Sequence, residues 1–357
     1  MRYTLSVILG IVASVCSLSA QSEVSVERQI KDTITIAVTG DVMMGTTYPS
    51  VSLPPDTGKQ LFCDVKDVML AADITLGNLE GAICDGGQST KGNGKYSYAF
   101  RTPTSFAPRL SEAGYDFMSM ANNHANDFGL EGINSSERCL TEQGIGFSGI
   151  QGRAEWSVVE RDGIRFGICA FGHNSYTLKH NNLMRVKQIL DTLRGQSDII
   201  IVSFHGGAEG RDYSHLPEGK ETFLGEDRGT LRQFAHFCID NGADVVYGHG
   251  PHVVRCIEVY NHHLIAYSLG NFCTPYGISL VGISAYAPVV TVRVNARGEF
   301  IDGKIHSFIQ QRGAGPRTDS EDNVAKHMKS LSETDVPNSE AKIDYKGNIT
   351  LKNDNNQ

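Results

Sequence analysis

Apolar segments of this chain end repeatedly in side chains that bind ions or move protons. Tyr115 to Met120 runs into Ala121-Asn122-Asn123-His124-Ala125-Asn126-Asp127. Thr33 to Val38 is closed by Gly40-Asp41. Asp73 to Leu76 delivers Asn78 and Glu80 between two glycines, and Asp198 to Phe204 stops at His205. Ala243 to Tyr247 leads to His249 and His252, Leu264 to Leu269 leads to Asn271, and Ile164 to Phe171 leads to His173. Any one of these has an ordinary reading as a turn or cap residue, and a lone histidine after a strand is usually structural. The recurrence is harder to explain that way. Carboxylate, carboxamide and imidazole together suit borderline divalent ions such as Mn, Fe or Zn. Two adjacent ions of that kind hold a phosphoryl group and activate water for in-line attack.

That chemistry requires the strand ends to meet. Strands alternate with helical segments at 64–72, 105–113, 130–143, 183–193 and 228–241, a pattern that predicts an α/β fold with largely parallel pairing. In such sheets function collects beyond the carboxyl ends of the strands. Asn78 and Glu80, two residues apart, point to one side of an extended chain. Trp156 to Glu160 and Ile164 to Phe171 read as a hairpin about Asp162-Gly163. A glycine- and serine-rich loop, 86–98, reads as a flap on the substrate side. A polar loop at 208–227, with Glu209, His215 and Glu218, reads as a cover for the site. The tail from Gln311 reads as weakly structured, with one short helix at 320–331, a last strand at 349–351 and no chemistry.

Composition sets the outer bounds. At 357 residues, 40% hydrophobic and 20% charged, the chain is an ordinary globular protein with ample core. A net charge of -8 argues against nucleic acid as a partner, since that needs a basic surface. Met1-Arg2, the apolar run Leu5 to Val15 and the small residues Ser17 to Ala20 read as a secretory signal peptide over 1–20. An uncleaved anchor and a lipoprotein through Cys16 are the alternatives. Each places the body of the protein in a secreted, periplasmic or cell-surface location. A polar linker, 21–32, follows. Without Cys16 seven cysteines remain, so pairing within one chain is incomplete. Cys63 and Cys84 stand in polar surroundings where pairing is open, and the absence of CxxC argues against a cysteine zinc site.

The blocks GDVMMG (40–45), GNLEG (77–81), FRTP (100–103), AGYDFMSMANNHANDFG (113–129), SFHGG (203–207), NGADVVYGHGPHVV (241–254) and IAYSLGNF (265–272) stand in an order that resembles the CapA family. These are poly-γ-glutamate capsule biosynthesis proteins whose domain is similar to the calcineurin-like metallophosphoesterases. The resemblance covers about Thr33 to Phe308, giving a CapA-type domain over 33–310 and a tail over 311–357. It implies a four-layer α/β/β/α metallophosphatase-like sandwich and divalent metal ions, two in number. By resemblance the metal ligands are Asp41, Asn78, Glu80, Asn123, His205, His249 and His252. Asp41 and His124 are the catalytic pair, with His124 assisting the leaving oxygen. Asn122, Asn271 and Arg101 are read as substrate contacts; Arg101, Lys95 and Arg211 are either cations that meet an anionic substrate or solvated loop charges.

The chain also departs from the family pattern. Metallophosphoesterases carry histidine where Met43 stands, and a thioether is a poor ligand for such ions. Gly206 replaces a tryptophan and Gly250 a second histidine, changes expected to widen the pocket. Two functions follow from the resemblance. One is a metal-dependent phosphoesterase-like hydrolase of capsule or poly-γ-glutamate biosynthesis. The other is a non-catalytic assembly or export factor holding an anionic surface polymer through bound cations. The implied partners are an anionic polymer or phosphoester substrate and a membrane-bound capsule-synthesis machinery.

Overall fold

The structure, a computed structural model, describes residues 31–92 and 97–352. The leader, most of the linker and Lys95 lie outside the described residues. The larger sheet has the strand order Ala341–Ile343, Asn348–Leu351, Phe300–His306, Val289–Asn295, Thr33–Val42, Ile74–Leu79, Phe117–Ser119, Gly146–Ser148, and Asn271–Cys273 pairs with the end of Thr33–Val42. The second sheet runs Ile257–Tyr260, His263–Ala266, Val245–His249, Ile199–His205, Ile164–Phe171, Trp156–Arg161. Within each sheet the strands carrying the candidate residues run parallel to one another, while the other side of Thr33–Val42 pairs antiparallel with Val289–Asn295. Their carboxyl ends therefore face one way.

Alternation along each strand divides the protein into layers. Ala37 and Val42 join the helices Pro108–Ala113 and Gly129–Glu142 in one core, through residues such as Leu110, Ile133 and Leu140. Val202, Phe204 and Val246 join Leu183–Arg194 and Leu231–Asp240 in another, through Val186, Leu190 and Phe234. The alternate residues Ile36, Val38, Ile201 and Val245 are equally buried on the opposite faces, outside both helix-lined cores. Two sheets stacked between two helical layers satisfy this pattern, as the resemblance implied.

Local signals explain much of the framework. Asp162 and Gly163 both take left-handed φ, as a two-residue hairpin turn requires. Gly114 closes its helix at φ 95. One expectation is corrected and one open question is answered. The segment after Gln311 is an ordered part of the fold: Phe308–Gln311 pairs with Gly315–Thr318, a helix spans Asn323–Asp335, and the last two strands complete the edge of the larger sheet. Val324, Ala325 and Met328 of that helix are fully buried. Its polar sequence concealed this because only one face is apolar. Cys63 and Cys84 do not pair; the first is exposed, the second buried, and all seven described cysteines are free.

The loop 208–229 is also more structured than read, containing a hairpin of Glu221–Phe223 and Glu226–Gly229. It is pinned by Arg255, whose side chain is fully buried. The guanidinium forks onto Glu221 at 2.8 and 2.7 Å and donates to the Tyr213 carbonyl at 3.0 Å, while Glu221 also accepts from the Ala208 amide. Breaking a buried pair strands a charge, at a cost of about 3–5 kcal/mol. Arg255→Met alone is expected to lose stability of that order in urea unfolding. Arg255→Met with Glu221→Leu is expected to recover most of it.

Candidate functional site

The parallel registers carry the candidate residues to one point. Asp41 is the register partner of Asn78 on one side and Asn271 on the other. His205 is the partner of His249 in the second sheet. Asp41, Asn78, Glu80, Asn122, His205, His249 and Asn271 are fully buried. His252 is partly open to a cavity of about 370 Å³ lined also by Tyr98, Phe100, His124, Glu209 and Phe223.

At the centre Asn78 lies between two carboxylates. Its Nδ2 donates to Asp41 Oδ1 at 2.9 Å and to Glu80 Oε2 at 2.7 Å. Its Oδ1 accepts from Asn122 Nδ2 at 2.9 Å, and Asn122 also donates to the Leu79 carbonyl. With Nδ2 and Oδ1 both engaged, Asn78 spaces the two acids and Asn122 orients Asn78. His252 Nδ1 lies 3.1 Å from Asp41 Oδ2 and 3.0 Å from Asn271 Oδ1. The His252 backbone is left-handed, at φ 57, and Asn271 Nδ2 donates to its carbonyl. A side chain held in that region costs about 1–2 kcal/mol, offset here by what it faces.

The fit of a cation follows from atoms left without partners. Both ring nitrogens of His205 and of His249 are buried and unbonded, as are Glu80 Oε1 and Asn123 Oδ1. His205 Nε2 stands 3.5 Å from Glu80 Oε2, and His249 Nδ1 stands 3.6 Å from Asp41 Oδ1. Two donors sharing an ion at about 2.1 Å stand roughly 3.0 to 3.4 Å apart. Among the described residues no three His, Cys, Asp or Glu side chains close on a single point; the approaches are pairwise. Orphaned buried donors of N and O type nevertheless match the chemistry of a divalent ion, since leaving each unpaired costs about 1–3 kcal/mol.

His124 stands on the other side of Glu80, with Nε2 3.9 Å from Glu80 Oε1. Its Nδ1 donates to Asp127 Oδ2 at 2.9 Å, and that oxygen also accepts the Phe100 amide. Lys91 lies 3.4 Å from the other Asp127 oxygen and donates to the Asn123 carbonyl. Asp127 thereby fixes the imidazole with Nε2 toward the cavity. The sequence names Asp127 without a role; its spacing of three from His124, one helical turn, was the available signal. Lys91 carried none. Arg101 is not brought to this cluster. It stacks between Tyr48 and Phe128 and donates to Thr47 Oγ1, tying loops together behind the site.

Met43 is buried, with its chain end against Gly277, and supplies no N or O donor. The two glycine departures do not widen a pocket. A Cβ on Gly250 would lie 2.5 Å from the Gly206 carbonyl oxygen, and one on Gly206 would lie 2.6 Å from that of Arg228. They let the ends of adjacent strands close on one another.

Electrostatics separates the imidazoles. Burial drives His205 well below its ordinary range despite Asp41. Burial lowers His249 to about 4, with Asp41 and Glu80 opposing. At His252 burial also disfavours the charged form, but the hydrogen bond and charge of Asp41, with Glu80 and Glu209, prevail and raise it to about 10.

Residues 35–276 match the family described as bacterial capsule synthesis protein PGA_cap. The capsule biosynthesis protein CapA of Bacillus anthracis is 24% identical over 270 residues, covering 71% of this chain and 62% of that protein. The PGA biosynthesis protein CapA of Bacillus subtilis (strain 168) is 27% identical over 261 residues, covering 69% and 64%. The chain thus spans less than two thirds of the length of these relatives. Among solved structures, a hypothetical protein from Thermus thermophilus aligns with a TM-score of 0.47 at 15% identity, covering 77% of this chain and 99% of that one. A 5'-nucleotidase precursor from the same organism aligns with a TM-score of 0.45 at 13% identity, covering 84% and 58%.

The depressed histidines fix how the metal-free protein responds to acid. An unfolded chain takes up protons below about 6.5 that folded His249 refuses until about 4. That contribution is present above pH 6.5 and lost as pH falls to 4, amounting to about 3 kcal/mol. His252 has the opposite sign, its contribution being present below pH 6.5 and lost as pH rises through about 10. Melting temperatures of chelator-treated protein are expected to fall from pH 6.5 to 4, less steeply in His249→Asn. Equal slopes in the two proteins would show that His249 is not buried neutral.

Proposed function

Because the chain belongs to the bacterial capsule synthesis protein family PGA_cap, we propose that it is a metal-dependent hydrolase of phosphoester bonds working outside the cytoplasm in the making of a capsule or poly-γ-glutamate polymer. The observation that carries this reading is the meeting of Asp41, Glu80, His205 and His249 in one buried cluster with unspent donor atoms. The location rests on the apolar stretch Leu5 to Val15.

Asp41, Glu80, His205, His249 and His252 would hold the ions, with Asn123 Oδ1 as a neutral ligand. Divalent ions bound there would neutralise phosphoryl charge and lower the pKa of water. The chain's own residues do the rest. Asn78 keeps the two acids apart at hydrogen-bond distance from one amide. Asp127 holds the imidazole of His124 and directs its Nε2 into the cavity, where it donates a proton to the leaving oxygen. Phe100, with its ring centroid 4.5 Å from that of His124, fixes the plane of the imidazole. Tyr98, Phe100 and Phe223 line the mouth and limit the entry of water.

Met43 favours a second reading, a polymer-binding assembly factor, since it removes one nitrogen from the family's ligand set. Elemental analysis separates the two. The hydrolase reading expects about two transition ions per chain, lost in Asp41→Ala and His252→Ala, with phosphoester turnover lost alongside. A folded, metal-replete protein with no bound ion would end it. Within that reading His124→Ala is expected to lower kcat by about 10²- to 10⁴-fold. Asp127→Asn should lower it less, with KM little changed in both; unchanged turnover in His124→Ala would remove the proposed acid.

A further inference from the structure

Beside His205 lies a second group of unspent donors. Arg228 is almost wholly buried at the end of the 208–229 hairpin, with its guanidinium over the Phe223 ring at 5.4 Å. Its Nη1 is 2.8 Å from Glu209 Oε1 and its Nε is 3.1 Å from Glu226 Oε2. Neither N–H is aligned with those oxygens, so both remain without a hydrogen bond. His173, 4% exposed, stacks on His205 with ring centroids 5.7 Å apart. Its Nε2 is also unbonded and lies 3.5 Å from the same Glu226 oxygen.

Glu226 differs from the groups it touches. Its side chain is 53% exposed and follows the Leu224-Gly225 turn, where both residues have left-handed φ. A solvent-exposed carboxylate thus sits between two buried nitrogen donors and satisfies neither. Arginine binds planar or tetrahedral oxyanions best through two parallel N–H groups, and this pairing leaves that capacity unused. Glu226 occupies the position an external oxyanion would take.

We propose that Arg228 and His173 form an oxyanion subsite beside His205, filled in the ligand-free chain by the carboxylate of Glu226. Its ligand is a carboxylate or phosphoryl group of the substrate. The inference deepens the hydrolase reading by giving that site a second point of attachment. It requires His173 to present Nε2–H, a tautomer open to it because the contact of its Nδ1 with the His205 carbonyl is long, at 3.5 Å. Glu209, the other carboxylate at Arg228, lines the cavity, so the guanidinium lies directly behind the cavity wall. An incoming anion displaces Glu226 toward solvent, where its charge is rehydrated at little cost.

The test is calorimetric titration of the full chain, stripped of metal by chelator, with inorganic phosphate and separately with glutarate. Removal of metal makes the readout independent of turnover, so an inactive protein can still bear the inference out and an active one can still fail it. Glu226→Gln removes the internal competitor and is expected to tighten binding about three- to tenfold. Arg228→Lys keeps the charge but loses the fork, and is expected to weaken binding about tenfold. Asp227→Asn makes the same change of charge one residue away, on a side chain that pairs with Lys220 at 2.9 Å, and is expected to leave affinity unchanged. Phosphate binding tighter than glutarate assigns the subsite to phosphoryl oxygens, and the reverse order to carboxylates. Equal tightening by Glu226→Gln and Asp227→Asn would reduce the effect to general charge and overturn the proposal. So would failure of folded Glu226→Gln, checked by its melting curve, to bind either anion.

Discussion

Two carboxylates, Asp41 and Glu80, are buried within reach of one amide, and much of the site's architecture answers that fact. Taking two like charges out of water costs several kcal/mol each unless counter-charge and hydrogen bonds surround them. Asn78 supplies one hydrogen bond to each. His252 is raised toward its charged form beside Asp41. His205 and His249 approach the same oxygens but are held neutral by burial, the first cause in each case. The acids are therefore satisfied only in part by protein. The remaining demand for positive charge is what makes a bound cation the natural completion of the fold.

The same logic distinguishes the histidines from one another. His252 enters the cluster from a left-handed backbone position and has carboxylate and amide oxygens around one nitrogen. His124 is turned by Asp127 and faces the cavity. His173 and His205 stack, close to Arg228, with burial the chief reason their protonated forms are disfavoured. His252 on one hand and His173 and His205 on the other are thus pushed in opposite directions because they meet different neighbours. The glycines at 206 and 250 belong to this arrangement, since only a bare backbone lets the strand ends carrying His205 and His249 close together.

Much of this was legible from sequence. Apolar strands stopping at Asp41, Asn78, His205, His249 and Asn271 foretold that parallel pairing would gather those residues, because register is set by burial of both faces. The helix Asn323–Asp335 was underestimated because much of its packing comes from Ile257–Tyr260 and Phe300–His306, strands distant in sequence that no local pattern reveals. Arg101 was misplaced for a related reason. A cation near a ligand-rich stretch looks like a substrate contact until Tyr48 and Phe128 are seen to enclose it. Asn78 illustrates a finer limit: its position was foreseen, but which way its amide faces depends on Asn122, a partner 44 residues away.

The larger sheet places the first described strand near its middle, with Thr33 paired to Asn295 and the outer edge built from Asn348–Leu351 and Ala341–Ile343. Pairings so distant in sequence make closure slow, because a long loop must be ordered before any contact rewards it. During synthesis one side of Thr33–Val42 has no partner until the segment around Val289–Asn295 has emerged. That side of the strand therefore stays open for most of the time the chain is being made, although Ile74–Leu79 can pair with its other side much earlier. The outer edge of the sheet is closed later still, when Ala341–Ile343 and Asn348–Leu351 pair beside Phe300–His306.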